Sequence, residues 1–390
     1  MARREPIRKV TLKNGATRYR FVIRVGKKPD GKPDQRTFTF DTLREAREER
    51  AKIIADKTRG TFVRATKTTL AEHLDQWLAG RRKLRESTRS NYVHALKPAR
   101  ERLGHLPLQQ ITKAHIDKLI ADLLAGGRRV GIKGRPLSPR TVTRTLTVLA
   151  AALDDAVKQG HLVRNVARLV DRPGTKAKRE MSTCTAEQAN AFLAYVSEHR
   201  LYPAWLMSLY GLRRGEVLGL RWCDIDLEAA TLTVRLQRVI VDGHVVEHEP
   251  KTEKGKRTLP LDAVLVAALR RLRVTLAGER LVAGSAYTAA CELCGEAHLF
   301  VDELGVSVHP ESYSDKFEVL NRKSGLPKIR LHDTRHTCGT LMHLRGVQAA
   351  VIAAWLGHAN AAFTIKTYVH SQDPALLAAG STLAAMYAAQ

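Results

Sequence analysis

The chain has 390 residues, 44% of them hydrophobic, and its 65 lysines and arginines against 39 acidic residues give a formal net charge of +26. That length exceeds one ordinary domain and predicts two or three, while the charge calls for a polyanionic partner, nucleic acid before a membrane surface. No apolar run reaches the roughly 18 residues of a membrane helix, and the basic start Met1–Pro6 leads into no apolar secretory segment. Five cysteines in so long a chain do not make a disulfide framework, so a cytoplasmic, reducing compartment is expected.

Residues 1–64 form the first expected unit. Thr17–Val25 mixes basic and β-prone residues, Arg36–Phe40 alternates cleanly, and the Gly-, Pro- and Asp-rich stretch Gly26–Asp34 joins them as a loop. Asp41 or Thr42 then caps a helix. The result is a small sheet with one helix. Arg18, Arg20 and Arg24 lie on its exposed face, which suits a DNA groove or is simply a solvated face.

Residues 65–170 read as all-helical. Leu70, Leu74, Trp77 and Leu78 share one helical face, with Trp77 favoured as core over a base-stacking role. Ser87 or Thr88 is expected to cap the next helix, which carries Arg89, Tyr92 and Leu96. Ile116, Leu119, Ile120 and Leu123 stripe a third helix. After a basic, Gly-rich loop, Ser138-Pro139 starts a fourth helix with Val142, Leu146 and Leu149 inward. Residues 171–181 are a linker rich in Pro, Gly and basic side chains, with Lys176, Lys178 and Arg179 placed for a DNA backbone.

Residues 182–390 are the largest unit, mixed but mainly α. Thr231–Leu236 reads as a strand, and Val239–Val246 as a hairpin turning at Asp242-Gly243. Helices are expected over Leu261–Leu276 and from His332 to the end. The fold class is therefore multidomain α+β: a small N-terminal β-sheet plus helix, an all-α bundle, and a mainly-α C-terminal domain with a small antiparallel sheet.

Five segments of this last unit carry chemistry-bearing residues, each weak alone. Gly211-Leu212-Arg213-Arg214-Gly215-Glu216 places an arginine pair on a turn entering a helix, with Glu216 three residues beyond Arg213. Pro250–Pro260 is a basic turn between strands, where a lysine can meet a phosphate. His332 and Arg335, three apart, share a helical face and can grip one anion. Gly357 allows a sharp turn that exposes His358. Tyr368 follows ten residues later.

In their order and spacing these segments resemble the tyrosine recombinase, or phage integrase, family. The resemblance spans residues 182–370 and fits the order of the three units. It places the family's first catalytic arginine at Arg213, its hairpin lysine at Lys251 (Lys254 and Lys256 crowd the same turn), its His-x-x-Arg pair at His332 and Arg335, its Leu-Gly-His histidine at His358 and its nucleophile at Tyr368. Tyr210 stands where many members have threonine. The resemblance implies an arm-binding domain over 1–64, a core-binding domain over 65–170 and a catalytic domain over 182–390. Type IB topoisomerases resemble the set in chemistry but match the N-terminal units less well.

These residue types suit the implied reaction. A tyrosine hydroxyl, with an ordinary pKa of about 10, needs activation. Arg213 and Arg335 can bind non-bridging phosphate oxygens in bidentate fashion, and His332 and His358 can donate hydrogen bonds or move the tyrosine proton. Lys251 is the expected acid for the leaving 5′-oxygen. Exchange of one phosphodiester for another demands neither cofactor nor ATP nor metal. The resemblance further implies double-stranded DNA attachment sites as partner, a homotetramer on two duplexes, and as helpers a directionality factor and a host DNA-bending protein. Cys291-x-x-Cys294 with His298 is half a zinc site or a pair of free thiols.

Overall fold

A computed structural model of the chain describes residues 6–12, 15–27, 32–59, 62–63, 65–127, 134–174, 182–250, 252–288, 297–325, 327–358, 380–381, 384 and 386–387, with backbone alone at 25–27, 34 and 253. It divides into two compact units, residues 1–177 and 178–390. No helix among the described residues is long and apolar enough to cross a membrane.

The first unit opens with strands β1 (Ile7–Thr11), β2 (Thr17–Lys27) and β3 (Pro33–Phe40), an antiparallel sheet in that order. β1 was not foreseen, and β2 runs through Gly26 into the expected loop, with its register shifting between Arg24 and Gly26. Period-2 alternation decides the faces. Phe21 and Ile23 turn inward and bury with Ile7 against Ala46 and Ile53 of helix α1 (Leu43–Thr58). Phe21 stacks on Phe38 and Phe40 at 5.3 and 5.7 Å. Of the two candidate caps, Thr42 is the one used: its side chain accepts from the Glu45 amide at 3.2 Å.

The same unit continues with α2 (Leu70–Gly80), α3 (Glu86–Leu103), α4 (Lys113–Gly126) and α5 (Pro139–Lys158). Their apolar stripes, Leu70, Leu74 and Trp77, Leu96, Ile116 and Leu119, Val142, Leu146 and Leu149, form one core. Trp77 is 4% exposed and stacks on Tyr92, a core role. Thr69, Thr112 and Ser138 cap their helices. The cap expected at Ser87 or Thr88 is corrected. The helix starts at Glu86, with Arg85 at the cap position and no side-chain cap bond, so both hydroxyl residues sit inside the first turn, beside an acid that complements the helix dipole.

The second unit contains α6 (Ala186–Tyr195), α7 (Tyr202–Leu209), α8 (Arg214–Gly219), strands β4 (Ile225–Asp226), β5 (Thr231–Val234), β6 (Gln237–Val241), β7 (His244–His248) and β8 (Arg257–Pro260), then α9 (Ala263–Ala283), α10 (Pro310–Lys323), α11 (Asp333–Leu344) and α12 (Ala349–Leu356). β4, β5 and β8 form an antiparallel sheet, and β6 and β7 the expected hairpin. The core centres on Trp205, which stacks on Tyr313 at 4.3 Å beside Phe192 and Phe317; such an aromatic pair contributes about 0.5–1.5 kcal/mol beyond area burial. One helix expectation is corrected: α9 extends to Ala283. Of the helices expected from His332 onward, α11 and α12 are present with Arg345–Gln348 between them, and residues 359–379 lie outside the described residues.

Candidate active site

The site is assembled from four stretches of the second unit, and Glu216 is its centre. Arg213 precedes α8 in extended backbone, and its amide donates to Glu216 Oε2 at 2.9 Å. Its Nη1 donates to Oε1 of the same carboxylate at 2.5 Å, and its Nη2 to the carbonyl of Gly357 at 3.2 Å. The neighbouring Arg214 turns away, donating to Ser314 Oγ at 2.9 Å and the Pro310 carbonyl at 3.3 Å. The pair therefore splits: one arginine serves α10, and the other, with a third of its side chain exposed, stays at the site.

A second arginine reaches Glu216 from β8. Alternation along this strand puts Arg257 on the inward side with Leu259. Its Nη2 donates to Glu216 Oε2 at 2.9 Å, its Nη1 to Oε1 at 3.3 Å and to the Gly255 carbonyl at 3.2 Å, and its Nε to the Trp355 carbonyl at 2.7 Å. In the sequence this residue belongs to the basic turn Pro250–Pro260. The signal that could have found it is that same period of two with Leu259.

Arg335, on α11, is buried. It donates from Nη1 to the Gly211 carbonyl at 2.6 Å and from Nη2 to the Leu356 carbonyl. It thereby joins the turn before Arg213 to the loop before His358. Gly211 makes this approach possible: its φ is +90°, and a Cβ there would lie 2.5 Å from Leu356 Cδ2. Gly357 ends α12 in the left-handed region at φ +63°, the conformation glycine adopts at least cost. Trp355 Nε1 donates to the Tyr210 carbonyl at 2.7 Å, fixing the loop from its other side, while the Tyr210 hydroxyl donates to Asp262. His332 stands at the N-cap position of α11 without a side-chain cap bond, its ring edge-on to His336 at 5.2 Å.

The electrostatics follow from this crowding of cations. Burial opposes ionisation of Glu216, but Arg257, Arg213 and Arg335 outweigh it and hold the carboxyl below its ordinary range. His358 is pushed down to about 4 by burial, then by Arg335 and Arg213. His332 also falls to about 4, through burial of its ring and the charges of His336 and Arg335, although the residue keeps a solvent-exposed edge. Both imidazoles are neutral at pH 7, able to accept one hydrogen bond and donate another.

Of the residues predicted from sequence, Arg213, His332, Arg335 and His358 thus come together. Lys251 and Tyr368 lie outside the described residues, as do Lys176, Lys178, Arg179, Cys291 and Cys294. Arg20 and Arg24 are exposed on the open face of β2, and Arg18 beside them is ion-paired with Asp41. Arg89 is exposed on α3. His298 is buried, with Nε2 2.8 Å from Glu247 Oε1 and Nδ1 2.9 Å from Ser307 Oγ.

Comparison with known proteins gives the geometry a context. The family model described as "Phage integrase family" matches residues 182–374, and that described as "Phage integrase, N-terminal SAM-like domain" matches 69–124. A "Tyrosine recombinase XerC-like" protein of Caldanaerobacter subterraneus subsp. tengcongensis is 26% identical over 92% of this chain and 94% of its own length. The integrase of Mycobacterium phage L5 is 25% identical over 82% of this chain and 81% of its own. Among solved structures, the fold is similar to that of the Tn1549 transposon integrase in complex with transposon right end DNA, at a TM-score of 0.66 and 21% identity over 81% of this chain and 99% of that one. It is also similar to a lambda integrase tetramer bound to a Holliday junction, at a TM-score of 0.55 and 18% identity over 94% of this chain and 96% of that one.

Proposed function

Because the chain belongs to the phage integrase family of tyrosine recombinases, we propose that Tyr368 is its nucleophile and that Arg213, Lys251, His332, Arg335 and His358 activate the scissile phosphate. The Tyr368 hydroxyl attacks phosphorus, a 3′-phosphotyrosyl bond forms, and the 5′-oxygen leaves with a proton from Lys251. A 5′-hydroxyl of the partner duplex then attacks the phosphotyrosine, reversing the step on a new strand. One phosphodiester replaces another, so no high-energy donor is consumed.

The observation that carries this reading is the convergence on one loop. Arg213 donates to the Gly357 carbonyl and Arg335 to that of Leu356, so both cations are fixed next to His358. Positively charged, pre-positioned donors stabilise charge that develops on a phosphoryl oxygen. Neutral His332 and His358 are suited to accept the tyrosine proton or to donate to the phosphate.

Residues 1–64 serve as the arm-type DNA-binding domain, 65–170 as the core-binding domain, 171–181 as linker and 182–390 as the catalytic domain. The protein acts in the cytoplasm on double-stranded attachment sites, as a homotetramer on two duplexes, to integrate and excise a phage or integrative element. The likeness to a lambda integrase tetramer on a Holliday junction supports the tetramer. A directionality factor and a host DNA-bending protein set the direction.

The test is a nicked duplex spanning the attachment core of the encoding element, incubated in EDTA with wild type and Tyr368→Phe. A covalent protein–DNA band in wild type alone is the expected result. Tight binding of that duplex without a band in either protein would instead favour a DNA-binding regulator that keeps the fold.

A further inference from the structure

We infer that Arg257 is a positioning residue for strand cleavage, one buried guanidinium that locks Glu216, the turn before β8 and the loop carrying His358 into a single arrangement. The inference rests on the roles proposed above for Arg213 and His358.

An arginine has five N–H donors, and the contacts of Arg257 account for four of them. Two go to the two oxygens of Glu216, one to the Gly255 carbonyl and one to the Trp355 carbonyl. Its side chain is 7% exposed and Glu216 is fully buried. Arg257 is thus turned into the protein and spent on it, whereas Arg213, on the same carboxylate, is one-third exposed. The division of labour is geometric: Arg213 is available to an incoming phosphate and Arg257 is not.

Charge gives the second half of the argument. One carboxylate faces two guanidinium groups, so the cluster keeps a net positive charge at Arg213. Without Arg257, Glu216 becomes a private counter-ion of Arg213, drawing the fork into a closed, neutral pair and away from the phosphate. The loop also loosens, because the Trp355 carbonyl loses its charged donor three residues before His358. A lysine at this position restores the charge but not the planar fork that spans the carboxylate and the two carbonyls.

The experiment measures single-turnover covalent-complex formation on the nicked attachment-core duplex, with DNA Kd and thermal midpoint in parallel, for Arg257→Met, Arg257→Lys and Glu216→Gln/Arg257→Met. Arg257→Met should cleave at least ~30-fold more slowly at saturating DNA, with Kd within about threefold of wild type. Arg257→Lys should remain at least ~10-fold slow, and the double variant should recover several-fold over Arg257→Met, because the competing charge on Glu216 is gone. Cleavage within about threefold of wild type for Arg257→Lys overturns the inference, and decides alone if Arg257→Met does not fold. So does a loss of cleavage matched by equal losses of DNA binding and thermal stability, with no recovery in the double variant. Arg213→Lys and Tyr368→Phe are run beside them. If those still form the covalent complex, the proposed function falls; if they do not and the Arg257 variants behave as wild type, only this inference falls.

Discussion

Nη2 of Arg213 donates to the carbonyl oxygen of Gly357 at 3.2 Å, so the residue immediately before His358 is held by an arginine from a distant stretch of sequence. The loop is closed on its other side by Arg257, whose Nη1 would lie 2.9 Å from a Cβ added at Gly357. Gly357→Ala therefore incurs two costs. A left-handed backbone is unfavourable for alanine by about 1–2 kcal/mol, and a guanidinium pinned by four hydrogen bonds has to move. Covalent-complex formation should fall at least ~10-fold while the protein still binds DNA. Wild-type cleavage by Gly357→Ala would show that the loop tolerates the shift and that His358 needs no such fixed approach.

Removal of Glu216 should be among the most damaging single changes in the second unit. Glu216→Ala leaves Arg257, itself 7% exposed, without its counter-charge. Breaking a buried pair from one side costs about 3–5 kcal/mol. Glu216→Gln keeps the shape and one acceptor and should cost less than half as much. Urea denaturation of the two variants measures the difference. Equal midpoints for alanine and glutamine would mean that the charge alone, and not the shape glutamine keeps, is what Glu216 contributes.

Acid should destabilise the fold through the same site. His358 titrates at about 4 in the folded protein, against 6.5 as its ordinary value. Between those values the unfolded chain binds more protons than the native one. Stability is therefore present above pH ~6.5 and is lost as pH falls toward ~4. For His358 the loss amounts to about 3 kcal/mol at most; His332, more exposed, adds a smaller, solvent-screened share. The check is the urea midpoint of wild type and His358→Gln at pH 7 and near pH 4.5. The gap between the two proteins should move in favour of the glutamine variant on acidification. A constant gap would mean that His358 titrates as an ordinary histidine.

The parts of this fold legible in the sequence are those dictated locally. Leu70, Leu74 and Trp77 announce α2 by spacing alone, Ser138-Pro139 opens α5 with a cap and a proline in the first turn, and Asp242-Gly243, both at positive φ, make the hairpin. Arg213 is set apart from Arg214 in the sequence by the family resemblance, and the fold pairs it with Glu216 three residues on. Arg257 was not legible. Lys254, Lys256 and Arg257 crowd one turn, and a basic turn is usually solvated. Only the burial of Glu216, which depends on α8, β8 and the loop after α12 meeting, singles out one of those cations. The start of α3 was missed for a related reason: Ser87 and Thr88 are strong cap residues by type, but nothing local says that Glu86 is already in the first turn.

The open face of the N-terminal sheet offers a test of where the charge excess is used. Arg20 is paired in register with Arg8 on β1 and Thr39 on β3, and Arg24 with Gln35. This places a basic row opposite the face that Phe21 and Ile23 bury on α1. Arg18 belongs to the row but is ion-paired with Asp41, so part of its charge is already compensated. Each phosphate neutralised by a cation contributes about 0.9 to the slope of log affinity against log salt. Arg20→Ala/Arg24→Ala should therefore flatten that slope by roughly 2 on arm-type DNA, and Arg18→Ala by less than 1. Cleavage of the core duplex alone should not change. Fluorescence anisotropy between about 50 and 200 mM salt measures the slope. An unaltered slope in the double variant would make this face a solvated surface and move the DNA contacts of the first unit to the helical bundle, where Arg89 is exposed on α3.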